Sequence, residues 1–333
     1  MEALVFCAVG LAILLIWTAF YFVNRNSLRK ASPQPNPASQ TSVAPEMPRQ
    51  PSNAEEVGAF YDATTPAFLQ VYGEVIQAFR TRDLANLLNY QASMMQLKPG
   101  MRILDAGCGV CGPAIHFAKE FGVQVDAVTA SAVQVEEAKQ RIQSAGMGEK
   151  VTVRRGDYHK LSEILPAGQY DVVYFLESFG HSPDKVAAIQ SAWNMLKPGG
   201  LLYIKDLFIK VPVHPAHATE IAHNVQRIND AYRYNVGDLG QVLTAIRQQG
   251  YILSALKTID IPLEDFENLT ISNDFQELTG IHRIDDLKAY LFPVDFFELI
   301  CLKPWHSTEV GNSRYFLQNL YYLQVLGKGE GEL

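Results

Sequence analysis

A glycine-rich loop carries the clearest chemical signal in the sequence. It reads Asp-Ala-Gly-Cys-Gly-Val-Cys-Gly, with glycines Gly107, Gly109 and Gly112 and with Asp105 two positions before the first of them. Glycines let a backbone turn sharply into a helix and approach a ligand closely. The glycine spacing alone also fits a dinucleotide site, but a carboxylate at Asp105 would repel a pyrophosphate. The loop therefore favours a ligand with a cationic group, and a nicotinamide dehydrogenase is a weaker alternative.

Two further patterns suggest metal or redox chemistry but are isolated. Cys108 and Cys111 have the C-x-x-C spacing of redox and zinc sites, yet the sequence holds no second pair of this kind. We interpret both as small residues that fill the loop. The pair His214-x-x-His217 lies around Pro215 rather than on a helix, so no metal site is predicted.

Apolar runs alternate with helical patterns around the glycine loop. The predicted strands span 101–105, 123–128, 151–153, 170–176 and 201–204, with helical stretches at 113–121, 134–145 and 187–195 and a glycine turn at 197–200. Strands separated by helices of this length predict a parallel sheet covered on both faces. Runs at 251–259 and 296–302 add an antiparallel pair. The expected fold is an α/β, Rossmann-like, seven-stranded and mostly parallel sheet with an antiparallel last strand.

The glycine loop resembles motif I of class I S-adenosylmethionine-dependent methyltransferases, through the string Leu-Asp-x-Gly-Cys-Gly. Other segments resemble the sterol, tocopherol and geranyl diphosphate C-methyltransferase group over about residues 57–206. These segments are Val57 with Phe60-Tyr61-Asp62, Thr65, Phe68 and Tyr72-Gly73, then Gly112-Pro113, and Glu177-Ser178 with His181, Pro183 and Asp184-Lys185. The resemblance implies S-adenosyl-L-methionine as the cofactor and methyl transfer as the activity.

The resemblance also implies which residues contact the cofactor. The second strand of the family usually ends in an acid that holds ribose hydroxyls, whereas here hydroxyls and an amide follow the strand, as in tocopherol-type enzymes. An acid after the third strand accepts a hydrogen bond from the adenine amine in the family. The predicted cofactor residues are Asp105, Gly107, Cys108, Gly109, Gly112, Thr129, Ser131, Gln134, Asp157 and Tyr158.

Three residues are predicted to act in the chemistry. Glu177 follows the fourth strand, where a glutamate of the sterol-like group faces the acceptor as base or as stabiliser of a developing cation. His181 lies four residues further on and is placed to share the proton, and Tyr61 would cover the donor or the acceptor. The implied reaction is carbon methylation of a hydrophobic, isoprenoid-like acceptor such as a prenylquinol, sterol or terpenoid. O- or N-methylation of a small metabolite and a non-catalytic, cofactor-binding role are the alternatives.

The N-terminus predicts a membrane anchor. Residues 3–23 carry no charge and no proline, and a helix of that length crosses a ~30 Å hydrocarbon core. Because Arg25, Arg29 and Lys30 follow the apolar stretch, residues 1–24 are expected to form a single-pass transmembrane helix with the catalytic domain in the cytoplasm. A cleaved signal peptide is the alternative, although it would begin with basic residues.

The remaining chain divides by composition. Residues 25–53 form a Pro-rich linker, residues 54–305 the methyltransferase domain, and residues 306–333 a C-terminal tail. Insertions at about 207–236 and 262–292 are expected to form a cap over the substrate. The net charge of -7 argues against a nucleic-acid partner, so the expected partners are the hydrophobic acceptor and the membrane.

Overall fold

A computed structural model describes residues 51–78, 80–81, 83–258 and 291–305 of the 333-residue chain. Its helices are α1 (Ala54–Tyr72), α2 (Leu84–Met94), α3 (Gly112–Phe121), α4 (Ala132–Ser144), α5 (Lys185–Met195), α6 (Ala218–Tyr232) and α7 (Leu239–Gln249). Its strands are β1 (Arg102–Ala106), β2 (Gln124–Thr129), β3 (Val151–Arg155), β4 (Tyr170–Leu176), β5 (Leu196–Ile209), β6 (Ile252–Lys257) and β7 (Val294–Leu302). Short 3₁₀ segments span Tyr158–Glu163, Phe179–His181 and Pro215–His217.

The seven strands form one sheet in the order β3-β2-β1-β4-β5-β7-β6. The five strands from β1 to β5 are parallel, and β7 runs antiparallel to both β5 and β6. This topology confirms the predicted Rossmann-like sheet and its antiparallel last strand. The strand order reverses at β1 and β4, and ligands bind outside the carboxyl ends of strands at such a point.

Both faces of the sheet are covered, which explains why its central strands read as continuous apolar runs. Along β4, Val172 and Tyr174 pack on one face with buried residues of α2, α3 and α4. The alternate residues Val173 and Phe175 pack on the other face with α5 and α7. Because side chains alternate along a strand, one apolar run supplies both layers of the core.

The helix α1 lies against the carboxyl edge of the sheet. Asn53 caps it, and a capping box joins the Asn53 and Glu56 side chains to each other's backbone amides. A Cβ atom on Gly58 would lie 2.7 Å from the carbonyl oxygen of Ala130, so the helix approaches the β2–α4 connection as closely as glycine allows. The α1 segment therefore forms a wall beside the loops that follow β1 and β2.

The structure corrects two sequence-based boundaries. The predicted turn at 197–200 lies within β5, where the pairing with β4 shifts register between Tyr170 and Val172 and Gly199 adopts a φ of 78°. The predicted insertion at 207–236 begins inside the same strand, which runs to Ile209. It then forms α6, whose Ile221 and Val225 pack in one buried apolar cluster with residues of β5 and β7.

Several predicted segments lie outside the described residues. These are the anchor at 1–24, the linker up to residue 50, most of the insertion at 262–292 and the tail at 306–333. Within the described parts of the chain, none of the helices has the length and apolar character needed to cross a membrane.

Candidate active site

The glycine loop after β1 is held by backbone hydrogen bonds and close packing. The amides of Gly107 and Cys108 donate to the carbonyl oxygen of Val128, at 2.9 and 3.0 Å. Gly107 has a φ of 101°, and a Cβ atom there would lie 2.3 Å from the Cβ atom of Ser178. Only glycine satisfies both conditions, so the loop lies directly against the segment that follows β4.

The loop ends at the N-terminus of α3 with a strained residue. Cys111 precedes the helix with a left-handed φ of 65°, a conformation that costs a non-glycine residue free energy and is concentrated at functional sites. A Cβ atom on Gly112 would lie 2.1 Å from the carbonyl oxygen of Glu74. Cys108 and Cys111 are buried free thiols, and no metal-binding group of His, Cys, Asp or Glu occurs among the described residues.

A cleft lies at the carboxyl edge of the sheet, with about 880 Å³ of space that includes open solvent. It brings together all the predicted site residues except Gly112 and Ser131. The predicted residues that line it are Tyr61, Asp105, Gly107, Cys108, Gly109, Thr129, Gln134, Asp157, Tyr158, Glu177 and His181.

Asp105 places a buried carboxyl group at the base of this cleft. Its side chain accepts a hydrogen bond of 2.9 Å from the hydroxyl of Tyr174. Burial raises the pKa of Asp105 to about 7, although the tyrosine hydrogen bond opposes the shift. A cationic ligand group would offset the cost of burying the ionised carboxylate, which suits the predicted contact with an ammonium group.

The segment after β2 holds a hydrogen-bonded pair in the cleft. The hydroxyl of Thr129 donates to the side-chain oxygen of Gln134 at 2.6 Å. Ser131 does not line the cleft, because its hydroxyl caps α4 at the Gln134 amide and donates to Asp62 at 2.6 Å. Its predicted contact with the cofactor stays a prediction.

Asp62, on α1, places a carboxylate next to the residues that follow β2, where the chain has no acid of its own. Its Oδ1 atom also accepts from the amide of Val133 at 3.0 Å, in the first turn of α4. Burial opposes its ionisation, but hydrogen bonds from Ser131 and Val133 outweigh burial and lower the pKa of Asp62. The sequence signal was its position directly after Tyr61, in the segment that resembles the methyltransferase group.

A chain of three side chains begins at the predicted adenine contact. The Oδ1 atom of Asp157 accepts from the amide of His159 at 2.9 Å and from its Nδ1 atom at 2.5 Å. The Nε2 atom of His159 lies 2.7 Å from the hydroxyl of Ser182. Burial opposes ionisation of Asp157, but the histidine hydrogen bonds prevail and lower its pKa. Sequence reasoning missed His159, whose signal is the Asp-x-His spacing after β3.

Glu177 forms a buried ion pair with Lys205. Its other carboxylate oxygen accepts from the amide of Ala78 at 2.6 Å, and Lys205 also donates to the side-chain oxygen of Gln77 at 2.8 Å. Glu177 adopts a left-handed φ of 55°, a second strained residue beside the cleft. Sequence reasoning missed Lys205, although a lysine in an apolar strand is a signal, because buried charges need partners.

His181 is neutral, and its tautomer follows from its neighbours. Its Nδ1 atom lies 3.1 Å from the carbonyl oxygen of Arg233. Since a carbonyl only accepts, Nδ1 carries the proton and Nε2 accepts from the hydroxyl of Tyr61 at 2.9 Å. Burial, with the charge of Lys185, lowers the pKa of His181 to about 3. Burial also raises the pKa of Tyr61, so the phenol keeps its proton at neutral pH.

An aromatic wall surrounds this pair. Phe60, Tyr61 and Phe68 lie with ring centroids 5.2 to 6.2 Å apart, and Tyr72 stacks on Phe68 at 5.9 Å. The ring of Tyr234 lies 4.0 Å from that of His181. The predicted insertion at 207–236 therefore contributes to the surroundings of the histidine, although its function as a cap stays a prediction.

Hydrogen bonds from Lys185 and to Asp206 hold the connection that carries His181 in place. The Nζ atom of Lys185 donates to the carbonyl oxygens of Phe179, Gly180 and Ser182 at 2.7 to 3.1 Å. The carboxylate of Asp206, in the carboxyl-terminal half of β5, accepts from the Gly180 amide at 2.9 Å. These contacts fix the short 3₁₀ segment between β4 and α5, and with it the histidine.

Comparison with known proteins agrees with this geometry. A methyltransferase-domain family model matches residues 103–200, which include the glycine loop, Asp157 and Glu177. The 27-O-demethylrifamycin SV methyltransferase of Amycolatopsis mediterranei is 34% identical over 181 residues, which are 52% of this chain and 65% of the relative. A sterol 24-C-methyltransferase of Gibberella zeae is 28% identical over 61% of this chain and 49% of the relative. The chain thus spans about half to two thirds of the length of these relatives.

Solved structures share the fold at low sequence identity. The [4+2]-cyclase SpnF superposes with a TM-score of 0.61 at 20% identity, over 76% of this chain and 97% of the cyclase. A geranyl diphosphate C-methyltransferase of Streptomyces coelicolor superposes with a TM-score of 0.52 at 17% identity, over 67% and 80% of the two chains. These structures establish the fold, and fold alone does not specify a reaction.

The fold, the glycine loop and the domain matched at residues 103–200 together support a class I S-adenosylmethionine-dependent methyltransferase. The same findings support S-adenosyl-L-methionine as the cofactor, and the cleft around Asp105 and the glycine loop is the candidate site for it.

Proposed function

We propose that the protein transfers a methyl group to a carbon atom of a hydrophobic, isoprenoid-like acceptor such as a sterol, prenylquinol or terpenoid. The observation that carries the proposal is the Tyr61–His181 hydrogen bond, which joins a phenol to a neutral histidine inside the cleft. The similarity to a sterol 24-C-methyltransferase supports the same acceptor class. Tyr61, the one member of the aromatic wall that lines the cleft, supports it as well, since ring faces attract a cation.

The residues of the cleft fit the cofactor. Bound S-adenosylmethionine supplies a methyl group already activated on a sulfonium, so catalysis rests on positioning and charge complementarity. Asp105 would bind the ammonium group, Thr129 and Gln134 the ribose hydroxyls, and Asp157 the adenine amine. Gly107 and Gly109 line the cleft with backbone alone, which lets a ligand approach the loop closely.

Carbon methylation of an alkene requires a proton acceptor. The π electrons of the acceptor form the new carbon–carbon bond, the methyl–sulfur bond breaks with its electrons on sulfur, and the resulting cation loses a proton. That proton passes to the oxygen of Tyr61 while the tyrosine proton passes to Nε2 of His181. Glu177 lines the cleft, and its carboxylate accepts hydrogen bonds from Lys205 and the Ala78 amide, so its proposed role is to stabilise the cation.

The basicity of His181 favours this chemistry over deprotonation of a hydroxyl. A proton next to a carbocation is far more acidic than the conjugate acid of His181, whose pKa is lowered to about 3. A phenol has an ordinary pKa near 10, so moving its proton to this histidine would cost roughly 10 kcal/mol. The weak base therefore suits an alkene acceptor.

Methylation of an oxygen atom is the second candidate. It is favoured by the 27-O-demethylrifamycin SV methyltransferase, which is 34% identical to the matched half of this chain. An O-methylation that depended on the same residues would require a base stronger than neutral His181. The two candidates therefore differ in the atom that carries the new methyl group.

A membrane location would bring the domain to a lipid-soluble acceptor. The apolar stretch at 3–23 is our proposed anchor, and the cytoplasm is the proposed side of the catalytic domain. An alkaline carbonate wash of membranes from cells that express the full chain tests this proposal. Release of the protein into the wash would contradict an anchor.

The acceptor is identified by following a labelled methyl group. The full-length chain in detergent is incubated with methyl-labelled S-adenosylmethionine and a total membrane-lipid extract, and the products are separated and analysed by mass spectrometry. We expect label on a non-polar product, bound to carbon and stable to acid and base. Label on oxygen would favour the second candidate, and label only on water-soluble products would refute the proposed acceptor class.

Two variants test the residue assignments in the same assay. Tyr61→Phe keeps the ring in the aromatic wall but removes the proton relay, and we expect its rate to fall by about 10²-fold or more. Tyr72→Phe is the matched control, since Tyr72 belongs to the same wall but does not line the cleft. Equal rates for Tyr61→Phe and Tyr72→Phe would exclude the relay.

A further inference from the structure

The chain Asp157–His159–Ser182 connects two parts of the cleft that differ in function. Asp157 follows β3 and is the proposed adenine contact, whereas Ser182 follows the 3₁₀ segment that carries His181. Since the Asp157 carboxylate accepts, the Nδ1 atom of His159 donates to it. The Nε2 atom then accepts from the Ser182 hydroxyl at 2.7 Å. One imidazole ring therefore spans the distance between the two segments.

The arrangement has the order of a hydrolytic triad, but the serine is not accessible. Ser182 is 1% exposed, and it does not line the cleft that holds Asp157 and His159. Its backbone is also fixed, because its carbonyl accepts from Lys185 and its amide donates to Phe179. An acyl substrate cannot reach this hydroxyl, so the chain acts by holding its members in place.

Ser182 is bonded directly to the residue it would position. His181 is the preceding residue, and its own ring is oriented by Arg233 and Tyr61. The hydrogen bond of the Ser182 hydroxyl to His159 thus adds to the contacts with Lys185 and Phe179 that hold the backbone beside His181. Conversely, loss of the hydrogen bond between His159 and Ser182 would let the His159 ring move, and that ring donates a hydrogen bond to Oδ1 of Asp157.

We propose that His159 is a positioning residue that couples adenine recognition at Asp157 to the placement of His181, through its hydrogen bond to Ser182. The proposal rests on the proposed function insofar as Asp157 contacts adenine and His181 receives the proton. Its observable consequence is that a change at Ser182, outside the cofactor cleft, alters cofactor affinity.

The test measures binding of S-adenosylmethionine to the full-length protein by calorimetry. Ser182→Ala removes one end of the chain. His159→Asn keeps a donor for Asp157 and removes the acceptor for Ser182, and the double variant combines both changes. Ser191→Ala is the matched control, because it removes a buried serine hydroxyl that accepts from the Leu161 amide and does not line the cleft.

We expect Ser182→Ala and His159→Asn each to raise the dissociation constant by about two- to tenfold, the range that one net hydrogen bond represents. The dissociation constant of the double variant should be no higher than that of the single variant that binds more weakly, because each change alone already breaks the hydrogen bond between His159 and Ser182. Ser191→Ala should bind within about twofold of the unaltered protein. A Ser182→Ala affinity within that range, or a double-variant effect equal to the product of the two single effects, would overturn the proposal.

Turnover separates positioning of His181 from a purely local effect on Asp157. At saturating cofactor, His159→Asn should still show a lower kcat, because His181 is displaced even when the cofactor is bound. An unchanged kcat would limit the role of His159 to cofactor affinity and overturn the coupling. The binding measurements need no acceptor, so an error in the proposed acceptor class would leave them intact.

Discussion

Replacement of Lys205 by methionine tests how much the buried ion pair between Lys205 and Glu177 contributes to stability. The side chains of Lys205 and Glu177 are 0% and 3% exposed, so Lys205→Met leaves a buried carboxylate without its cation. Loss of one partner from a buried pair costs about 3–5 kcal/mol. In a domain of this size, each kcal/mol lowers the midpoint of thermal unfolding by about 2–4 °C. We therefore expect a fall of roughly 6–20 °C. Circular dichroism during thermal unfolding near neutral pH measures this fall.

A double variant isolates the coupling between the two charges. In Glu177→Gln with Lys205→Met, no charge is left unpaired, so the double variant should be more stable than the sum of the two single effects by at least about 1 kcal/mol. Lys139→Met is the control, because Lys139 pairs with Glu136 at the surface, and such pairs contribute little. Additive single effects, or a Lys205→Met loss no larger than that of Lys139→Met, would refute the reasoning.

Three further predictions concern the cofactor cleft. Burial raises the pKa of Asp105 to about 7. The affinity for S-adenosylmethionine, measured by calorimetry, should therefore increase from about pH 5.5 to about 7, where an α-ammonium group stays protonated. The free energy of unfolding of the ligand-free protein should fall over the same interval, and Asp105→Asn should abolish the pH dependence of both quantities. Gly58→Ala should weaken cofactor affinity, because its Cβ atom would press α1 away from the Ala130 carbonyl; unchanged affinity would show that α1 does not need this close approach. Asp62→Asn should weaken cofactor affinity several-fold by loosening α1 from Ser131, and an effect on stability alone would contradict this.

Much of the fold follows from local sequence patterns. Strand β4 and the glycine loop after β1 are each encoded within about ten residues, by an unbroken apolar run and by glycines at fixed spacing. The error at β5 has the same local origin, because Pro198, Gly199 and Gly200 are typical of a turn. In the sheet these residues form an irregularity within a strand that pairs on both sides, and only the neighbouring strands determine that outcome.

The candidate site is harder to predict because its partners are distant in sequence. Asp62 reaches Ser131 across 69 positions and His159 reaches Ser182 across 23. The types and spacing of Tyr61, Glu177 and His181 indicated chemistry, but not which atoms hold them. Their hydrogen bonds depend on where α1 and α6 pack against the carboxyl edge of the sheet, which no local pattern specifies.

The role of Glu177 illustrates how tertiary contacts change a chemical assignment. From the sequence, a glutamate after β4 is equally suited to accept a proton or to stabilise a cation. In the structure both of its oxygens already accept hydrogen bonds, one from Lys205 and one from the Ala78 amide. The relay assigns proton acceptance to Nε2 of His181, whose lone pair is directed at Tyr61 because Arg233 fixes the tautomer. A lysine on a neighbouring strand thus shifts the expected base from the carboxylate to the histidine.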